Sequence, residues 1–378
     1  MPGFDPQSTA ELAADMTRLF TFVPDPSLEA SAEFRIGLRS LPFLADHAFQ
    51  DVVVLPGSFY IEMALSVHQE LSKRAPGVVR NVIFQTPVML SPEDTIIRVE
   101  VRNRGATTAE YTFYEGAVGK GGASTRHQYA ARLEVDRSPS ALQELIDESF
   151  SIEAFQAQAH DVIDSERFYQ ELRDNGNQYG PRFQCVSSIW RAGNQSLGRL
   201  SSAPAENEPH RLRSTLLDSM TQLLASFMMA RGRTFILQSI ERIEIADLNF
   251  PNPLWCHGRL LPQDEGENNR VVGDIRVFDS SGKTYLQLSG VAFILLDRPE
   301  APEGNRGPML VVASNFTAEP VEDSLKFWAA HFKLQGNIEF APYDQVFQQL
   351  LQADSTFRRN RAGVNIIPLQ LERWDAGE

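Results

Sequence analysis

Two predicted helices in this chain are apolar on almost every face. The first covers residues 58–71 (SFYIEMALSVHQEL) and the second covers residues 215–229 (TLLDSMTQLLASFMM). A helix that is apolar all round has to be buried all round, because no face of it can be left to water. Each helix therefore needs a layer of other structure around it, and this requirement constrains the fold more than any other feature of the sequence.

The segments around both helices have the pattern of short β-strands. They are rich in β-branched and aromatic residues, and turn chemistry such as SPED, NRGAT and DSSGK separates them. In the first half these segments are FRIGLRS, VVRNVIFQTPVML, TIIRVEVRN, AEYTFYEG and RHQYAARLEV, and in the second half they are FQCVSSIWRAG, SIERIEIADL, WCHGRLLP, NRVVGDIRVFD and TYLQLSGVAFILL. The pattern predicts an α+β fold of two similar units in tandem, each a curled antiparallel sheet around one buried helix.

Changes in composition divide the 378 residues into five segments. Beyond the Pro/Gly-rich stretch LDRPEAPEGNRGP, strand-like and helix-like segments alternate, which is typical of a small α/β βαβαβ unit with a parallel sheet. The predicted segments are an N-terminal helix (about residues 9–19) with a linker at 1–30, a first unit at 31–138, a second unit at 139–299, a linker at 300–307 and the small α/β unit at 308–378.

Charge and composition exclude several classes of function. The formal net charge is −14 and the Lys and Arg residues are scattered, which argues against binding nucleic acid. No apolar run approaches the roughly 20 residues that span a bilayer, and the N-terminus does not resemble a signal peptide. The two cysteines, Cys185 and Cys256, show no metal-binding or disulfide spacing. We expect a cytoplasmic protein without a membrane partner, a metal or another cofactor.

The stretch DHAFQDVVVLPGSFY, residues 46–60, contains the first candidate site. Pro56 and Gly57 stand at the start of the first apolar helix, where N–H groups have no intrahelical acceptor and can bind a carbonyl oxygen as it gains negative charge. His47 lies nine residues before Pro56, and imidazole is suited to general-base catalysis at neutral pH. A lone histidine of this kind is more often a loop or core residue. A catalytic role for His47 is therefore favoured only if the second unit supplies a partner group.

The second apolar helix contains the other candidate. Asp218 is an acidic residue in an otherwise apolar segment, and Gln222 lies one turn later on the same face. A carboxyl buried among apolar groups has a raised pKa and can act as a general acid. The alternative is an aspartate exposed near the start of a helix. An acid and a base from the two units would meet only if the units pack side by side.

Three motifs now show a resemblance to a known family. HAFQDVVVLP resembles the H-x-x-x-G-x-x-x-x-P motif of the dehydratase domains of modular polyketide synthases, YGPRFQ resembles their Y-G-P-x-F motif, and LLDSMTQ resembles their D-x-x-x-Q/H motif. The motifs occur in the family order, and the resemblance covers about residues 34–299. It implies a double hot-dog fold and dehydration of a β-hydroxyacyl thioester carried on the phosphopantetheine arm of an acyl carrier protein.

The resemblance also implies roles for individual residues. His47 would remove the α-proton, Asp218 would protonate the leaving hydroxyl, and Gln222 would be the hydrogen-bonding neighbour of Asp218. The Gly57 N–H, after Pro56, would meet the thioester oxygen. Tyr179 and Gly180 would shape the pocket wall. The implied partners are the acyl carrier protein and other synthase domains, with a homodimer as a further possibility.

Two features depart from the family pattern or extend beyond it. Asp51 stands where the family motif has glycine, and it is the best support for a catalytically silent module. Residues 308–378 resemble the N-terminal piece of haloacid dehalogenase-like glyceryl-transferase and phosphatase proteins, but they lack the D-x-D motif of that superfamily. We therefore interpret this segment as a docking or spacer unit without chemistry of its own.

Three outcomes other than plain dehydration stay open at this point. The chain could belong to a dehydratase that also closes a ring by oxa-Michael addition, to one that shifts the double bond, or to a silent hot-dog module. The presence of both Pro56 and Asp218 favours plain dehydration, since the resemblance implies that shifting and purely cyclising relatives tend to lose one of them.

Overall fold

The computed structural model divides into two compact units, Met1–Leu296 and Asp297–Glu378. The domain boundaries predicted at 138, 299 and 307, and the predicted N-terminal helix before residue 19, lie outside the described residues. The residues that the structure describes are 19–50, 52–73, 77–105, 107–116, 128–136, 150–201, 214–229, 232–262, 269–296, 310–318, 320, 322, 324–326, 337–342, 345–352, 355–360 and 363–370.

The first unit is built mainly of strands. Up to its midpoint the elements are β1 (Phe20–Phe22), β2 (Ala30–Ile36), a 3-10 helix (Pro42–Asp46), β3 (His47–Phe49), β4 (Val52–Val53), α1 (Gly57–Ser72), β5 (Val78–Phe84), β6 (Thr95–Asn103), β7 (Thr108–Gly116) and β8 (Gln128–Asp136). The elements that follow are α2 (Ile152–Gln158), β9 (Asp161–Asp164), α3 (Ser165–Asp174), β10 (Asn177–Tyr179), a 3-10 helix (Pro181–Phe183), β11 (Val186–Ala192), β12 (Gln195–Leu200), α4 (Ser214–Gln222), a 3-10 helix (Leu223–Phe227), β13 (Thr234–Ile245), β14 (Leu254–Leu260), β15 (Arg270–Phe278) and β16 (Thr284–Leu296).

Thirteen of these strands form one antiparallel sheet in the order β1-β2-β6-β7-β8-β5-β13-β16-β15-β14-β12-β11-β9. The strands of the first half lie on one side of the β5–β13 pair and those of the second half lie on the other, with Ile240 opposite Val82 and Ile243 opposite Val79. The two predicted units are therefore joined edge to edge. Their inward and outward positions alternate as the sequence predicts: on β6, Ile97, Val99 and Val101 are fully buried.

The sheet encloses α1 and α4, as their apolar sequences require. Every residue of α1 from Ser58 to His68 is buried, and so is every residue of α4. Helix α1 is capped by Lys73, the residue after its last turn, which has the left-handed backbone that commonly terminates helices. No helix in the described part of the chain is long and apolar enough to cross a membrane.

The second helix is shorter than the sequence predicted. The apolar pattern indicated one helix over residues 215–229, but α4 ends at Gln222 and a 3-10 helix continues to Phe227. The first two residues of this 3-10 helix approach two glycines on the strands beneath: a Cβ on Gly198 would lie 2.8 Å from Leu223 Cδ1, and one on Gly273 would lie 2.9 Å from Leu224 Cδ2. The 3-10 helix thus packs against strand positions that carry no side chain.

A second, three-stranded sheet of order β10-β3-β4 was not predicted from the sequence. In it Tyr179 pairs with His47 and Asn177 pairs with Phe49, so a strand from the second half extends a hairpin from the first half. Helix α3 and strand β9, which precede β10, were also missed. The consequence is that the predicted base lies on a strand shared by both halves.

The C-terminal unit has its own small core. Its elements are β17 (Leu310–Val312), β18 (Ile338–Phe340), α5 (Val346–Leu351), α6 (Thr356–Arg359) and β19 (Val364–Ile366). The strands are parallel, with β17 between β18 and β19, which agrees with the parallel sheet that the alternating pattern predicts. Val311, Ala313, Val346 and Phe357 form the centre of this core.

Candidate active site

A cavity of about 260 Å³ lies in the first unit and takes its lining from both halves of the sheet. Most of its wall is apolar. The first half contributes His47, Gly57 and Phe84, and the second half contributes Tyr179, Asp218 and Thr221. The cavity brings the predicted base and the predicted acid to one space, although they come from different units.

Three apolar residues in the cavity wall are open to solvent. Met89 is 64%, Val52 41% and Leu296 38% exposed, whereas His47 is 3% and Asp218 is 6% exposed. The exposed residues therefore mark the mouth, and the two titratable groups lie inside. A substrate that reached both of them would leave water behind on entry, which strengthens electrostatic interactions within the cavity.

His47 is the first residue of β3 and its ring is held by one hydrogen bond. Its Nδ1 lies 3.0 Å from the carbonyl oxygen of Val54. A carbonyl oxygen can only accept, so Nδ1 carries the hydrogen and Nε2 is the atom that can take a proton. Nε2 lies 3.7 Å from Asp218 Oδ1, beyond hydrogen-bond range, so the two groups face each other without being bonded.

Asp218 lies in the middle of α4. Burial raises the pKa of this carboxyl, and the nearby His47 and the hydrogen bond from Gln222 lower it by less. The net effect favours the protonated form relative to an exposed aspartate. The pKa of Asp218 is therefore shifted in the direction that a general acid needs.

Gln222 orients this carboxyl through a short chain of hydrogen bonds. Its Nε2 donates to Asp218 Oδ2 at 2.9 Å and to the Phe183 carbonyl at 3.2 Å. Its Oε1 accepts from the Tyr169 hydroxyl at 3.1 Å, and that hydroxyl in turn accepts from the Val186 N–H at 3.0 Å. The whole chain is buried, so each bond restricts the orientation of the next group.

The start of α1 forms another part of the wall. Pro56 precedes the first helical residue with an extended backbone, and Gly57 borders the cavity while Pro56 does not. A Cβ on Gly57 would lie 2.9 Å from Phe84 Cζ and 3.2 Å from Leu237 Cδ2, so only glycine fits without displacement of these side chains. The first N–H groups of the helix thus stand beside the cavity, at the positive end of its dipole.

The structure separates the two residues of the Tyr-Gly motif. Tyr179 lines the cavity, and its ring centroid lies 5.7 Å from that of His47. Gly180 is not among the lining residues. Its N–H donates to the Asp46 carbonyl at 2.7 Å, so it fixes the end of β10 next to the residue that precedes His47. The expectation that both shape the wall is corrected for Gly180, which supports the wall from outside.

Sequence reasoning missed several residues of the site. Tyr169 and Thr221 were not singled out, although Thr221 lies one helical turn from Asp218, a spacing that places both on one face. Phe183, whose ring centroid lies 5.2 Å from that of His47, was missed as well.

Asp51 lies outside the described residues, but Gln50 beside it has a positive φ of 47° and donates its N–H to the Gly176 carbonyl at 2.9 Å. Gln50 therefore has a left-handed backbone conformation in the turn after β3.

The described residues contain no group of three or more His, Cys, Asp or Glu side chains arranged to hold a metal ion. The described site combines His47 as a proton acceptor, Asp218 as a proton donor and the helix start at Gly57 around one largely apolar cavity. This combination can remove a proton next to a carbonyl and protonate a leaving group on the neighbouring carbon.

Comparison with protein families gives two matches, one in each half of the large sheet. Residues 22–116 match the model described as polyketide synthase dehydratase domain, and residues 148–303 match the model described as polyketide synthase dehydratase N-terminal domain. Neither match reaches the C-terminal parallel sheet, which begins at Leu310.

Similar curated proteins are polyketide synthases that are much longer than this chain. Polyketide synthase PksM of Bacillus subtilis (strain 168) is 23% identical over 332 residues, which is 83% of this chain and 8% of that protein. Polyketide synthase GfsE of Streptomyces halstedii is 25% identical over 205 residues, or 52% of this chain and 5% of that protein. The chain thus spans less than a tenth of the length of these relatives.

Solved structures show the same fold. The dehydratase domain from the CurF module of curacin polyketide synthase matches with a TM-score of 0.63 at 18% identity, over 73% of this chain and 98% of that one. The dehydratase domain of a mycocerosic acid synthase-like polyketide synthase matches with a TM-score of 0.60 at 19% identity, over 73% and 94% of the two chains. The predicted double hot-dog fold is confirmed by these likenesses.

Proposed function

We propose that this chain removes water from a β-hydroxyacyl thioester carried by an acyl carrier protein, because its residues 22–116 and 148–303 match models of polyketide synthase dehydratase domains. Dehydratase domains of this family are hydro-lyases that act on hydroxyacyl thioesters. One observation supports the proposal more than any other: His47 Nε2 and Asp218 Oδ1 face each other at 3.7 Å in a cavity shared by both halves.

In the proposed reaction His47 acts as the base. Its Nε2 takes the α-proton of the thioester, and the electron pair of the broken C–H bond forms the new bond between the α- and β-carbons. Negative charge that develops on the thioester oxygen is stabilised by the Gly57 N–H at the start of α1. The apolar wall and the buried position of the pair keep water from competing for the proton.

Asp218 completes the elimination as the acid. As the bond between the β-carbon and its oxygen breaks, Asp218 transfers its proton to the departing hydroxyl, which leaves as water. The products are water and an α,β-unsaturated thioester, with His47 protonated and Asp218 ionised. Proton exchange restores both groups, so the chain itself supplies every group of the scheme and no cofactor is needed.

Plain dehydration fits the site better than the alternatives considered from the sequence. Ring formation and a double-bond shift have no observation of their own in their favour. A silent module would not need a buried acid that is oriented by Gln222 and faces a buried base, since burying such polar groups costs stability. These groups therefore support a catalytic module.

We infer further roles from the same proposal. The exposed apolar residues at the mouth receive the phosphopantetheine arm, and other domains of a cytoplasmic synthase surround the enzyme. Residues 308–378 serve as a docking or spacer unit, and the enzyme works as a homodimer.

The first experiment measures the intact mass of an acyl carrier protein loaded with a β-hydroxyacyl chain and incubated with the enzyme. We expect the wild type to remove one water, and His47→Ala and Asp218→Asn each to lower the rate by about 10²–10⁴-fold, the contribution of a positioned acid or base. His160→Ala, at an exposed histidine, is the matched control and should keep full activity. Retention of dehydration in either site variant would contradict the assigned roles, and no loss of water across several chain lengths would contradict the function.

A further inference from the structure

The strand that carries the predicted base does not belong to the large sheet. Strand β3 pairs only with β4 and β10 in the described structure. On the β4 side, backbone bonds tie this small sheet to the first half: the Leu55 N–H donates to the Val88 carbonyl and the Leu90 N–H donates to the Val53 carbonyl, both at 2.9 Å. The position of His47 relative to the second half therefore depends on what holds the β10 side.

On that side a side-chain amide replaces a backbone ladder. Asn177 on β10 is fully buried, and its Nδ2 donates to the Phe235 carbonyl at 2.7 Å while its Oδ1 accepts from the Phe235 N–H at 3.1 Å. One side chain thus satisfies both backbone groups of a residue on β13. A buried backbone group that loses its partner costs about as much as a lost hydrogen bond, so this contact fixes the two strands strongly.

Three neighbouring polar residues extend the contact in both directions. Asn175 Nδ2 donates to the Met229 carbonyl at 2.8 Å, just beyond the 3-10 helix that continues α4. Thr234 Oγ1 donates to the Asn175 carbonyl at 2.7 Å and accepts from Gln50 Nε2 at 3.1 Å. The set of Gln50, Asn175, Asn177 and Thr234, here called the polar bracket, therefore connects the turn after the base-bearing strand with the chain that follows the acid-bearing helix.

We propose that Asn177, supported by the rest of the polar bracket, is a positioning residue that sets the spacing between His47 Nε2 and Asp218 Oδ1. Asn177 touches neither reacting group. It acts by fixing β10, whose Tyr179 pairs with His47, against β13 in the second half. The inference depends on the proposed acid–base function, because spacing matters only if the two groups act together on one substrate. A displacement of about 1 Å at such a pair costs roughly 10²-fold in rate.

The pKa of Asp218 also depends on the distance between Asp218 and His47. The titratable groups that face Asp218 are His47 on β3, Tyr179 on β10 and Tyr169 on α3. Burial raises the pKa of both tyrosines, so both stay neutral over the working range, and His47 is the neighbour that lowers the pKa of Asp218. If His47 moves away, the pKa of Asp218 rises, and the acid keeps its proton to higher pH.

The test compares Asn177→Leu with the wild type in steady-state dehydration of a carrier-bound β-hydroxyacyl substrate. We expect kcat to fall by about 10- to 100-fold, KM to change by less than about twofold, and the basic limb of the pH–rate profile to move to higher pH. Ile275→Val, in the buried core of β15 away from the cavity, is the control for lost stability and should leave both kcat and the pH profile unchanged.

A second pair of variants covers the case in which Asn177→Leu does not fold. Thr234→Val removes both hydrogen bonds of its hydroxyl, whereas Thr234→Ser keeps them, so the serine variant should restore the kcat that the valine variant loses. An unchanged kcat and pH profile in folded Asn177→Leu and Thr234→Val would overturn the inference. A raised KM with normal kcat would also overturn it, because it would mean that the polar bracket shapes the cavity wall at Phe235 instead. A wild type that dehydrates nothing would instead refute the proposed function.

Discussion

The two buried helices of the first unit occupy similar places in their halves but contribute to the site in different ways. Helix α1 is a regular 16-residue helix whose first residue, Gly57, borders the cavity. Helix α4 has nine residues before it tightens into a 3-10 helix, and its middle residue, Asp218, borders the cavity. One helix offers backbone N–H groups at its end, and the other offers a carboxyl from within.

This difference shows how a repeated scaffold can hold unlike chemistry. A helix end can stabilise developing negative charge without any ionisable side chain. A carboxyl inside a buried helix acquires a raised pKa from that burial and can act as an acid. The base comes from neither helix, since His47 lies on the small sheet shared by both halves.

After the loss of His47 or Asp218 itself, the largest expected effect concerns the backbone contribution of α1. In Gly57→Ala the new Cβ meets Phe84 and Leu237, so the helix start and its N–H groups have to move. We expect kcat to fall by about 10- to 100-fold, because a displaced oxyanion donor loses most of its effect. Gly105→Ala is the matched control, since a Cβ there meets nothing within 4 Å. Wild-type kcat in folded Gly57→Ala would show that the helix end does not take part.

A smaller effect is expected from the partner of the acid in α4. Gln222→Leu removes the hydrogen bond that lowers the pKa of Asp218, so this pKa rises further and the basic limb of the pH–rate profile moves to higher pH. We expect kcat to fall by roughly tenfold and the free energy of unfolding to fall by about 1–3 kcal/mol, because the Tyr169 hydroxyl and the Phe183 carbonyl lose a buried partner. A basic limb that stays in place or moves to lower pH would mean that it does not report on Asp218.

The smallest effect concerns stability rather than rate. A carboxyl whose pKa is raised in the folded state binds its proton more tightly there than in the unfolded chain, so it lowers stability as the pH rises above its unfolded value of 3.8. Asn cannot ionise. Asp218→Asn should therefore be more stable than the wild type at pH 7–8, and the difference should shrink on acidification towards pH 4.

Thermal unfolding across this pH range measures the difference, and a change of 1 kcal/mol corresponds to about 2–4 °C in a domain of this size. Asp174→Asn, at an exposed aspartate of α3, is the control for the change of charge. A gap between Asp218→Asn and the wild type that widened on acidification would show that the carboxyl is stabilised in its ionised form.

Much of the fold and of the site could be predicted from local patterns. The apolar faces of residues 58–71 and 215–229 required burial, and strands such as β16 appear in the sequence as continuous β-branched and aromatic runs. His47, Gly57 and Asp218 were found because each belongs to a motif within a few residues along the chain. The structure places all three at one cavity, while their catalytic roles stay predictions.

What could not be predicted depends on contacts between distant parts of the chain. Strand β10 has three residues, too few to show alternation, and it forms because β3 from the other half pairs with it. The residues that follow the early end of α4 pack on glycines of β12 and β15, which are distant in the sequence. The Tyr169 hydroxyl donates a hydrogen bond to Gln222, but Tyr169 itself belongs to none of the motifs found in the sequence. None of these features can be predicted from the local sequence, because each depends on contacts that form only in the assembled sheet.

The pairing of β5 with β13 has a consequence for the time course of synthesis. Strand β5 ends at Phe84 and β13 begins at Thr234, so about 150 residues are made between them. At about 5–20 residues per second, the Val-rich edge of β5 waits roughly 8–30 s on the ribosome for its partner. During that interval this edge of β5 lacks its partner strand, and an unpaired strand edge is a template for pairing with another chain, so the first half is then most prone to aggregation.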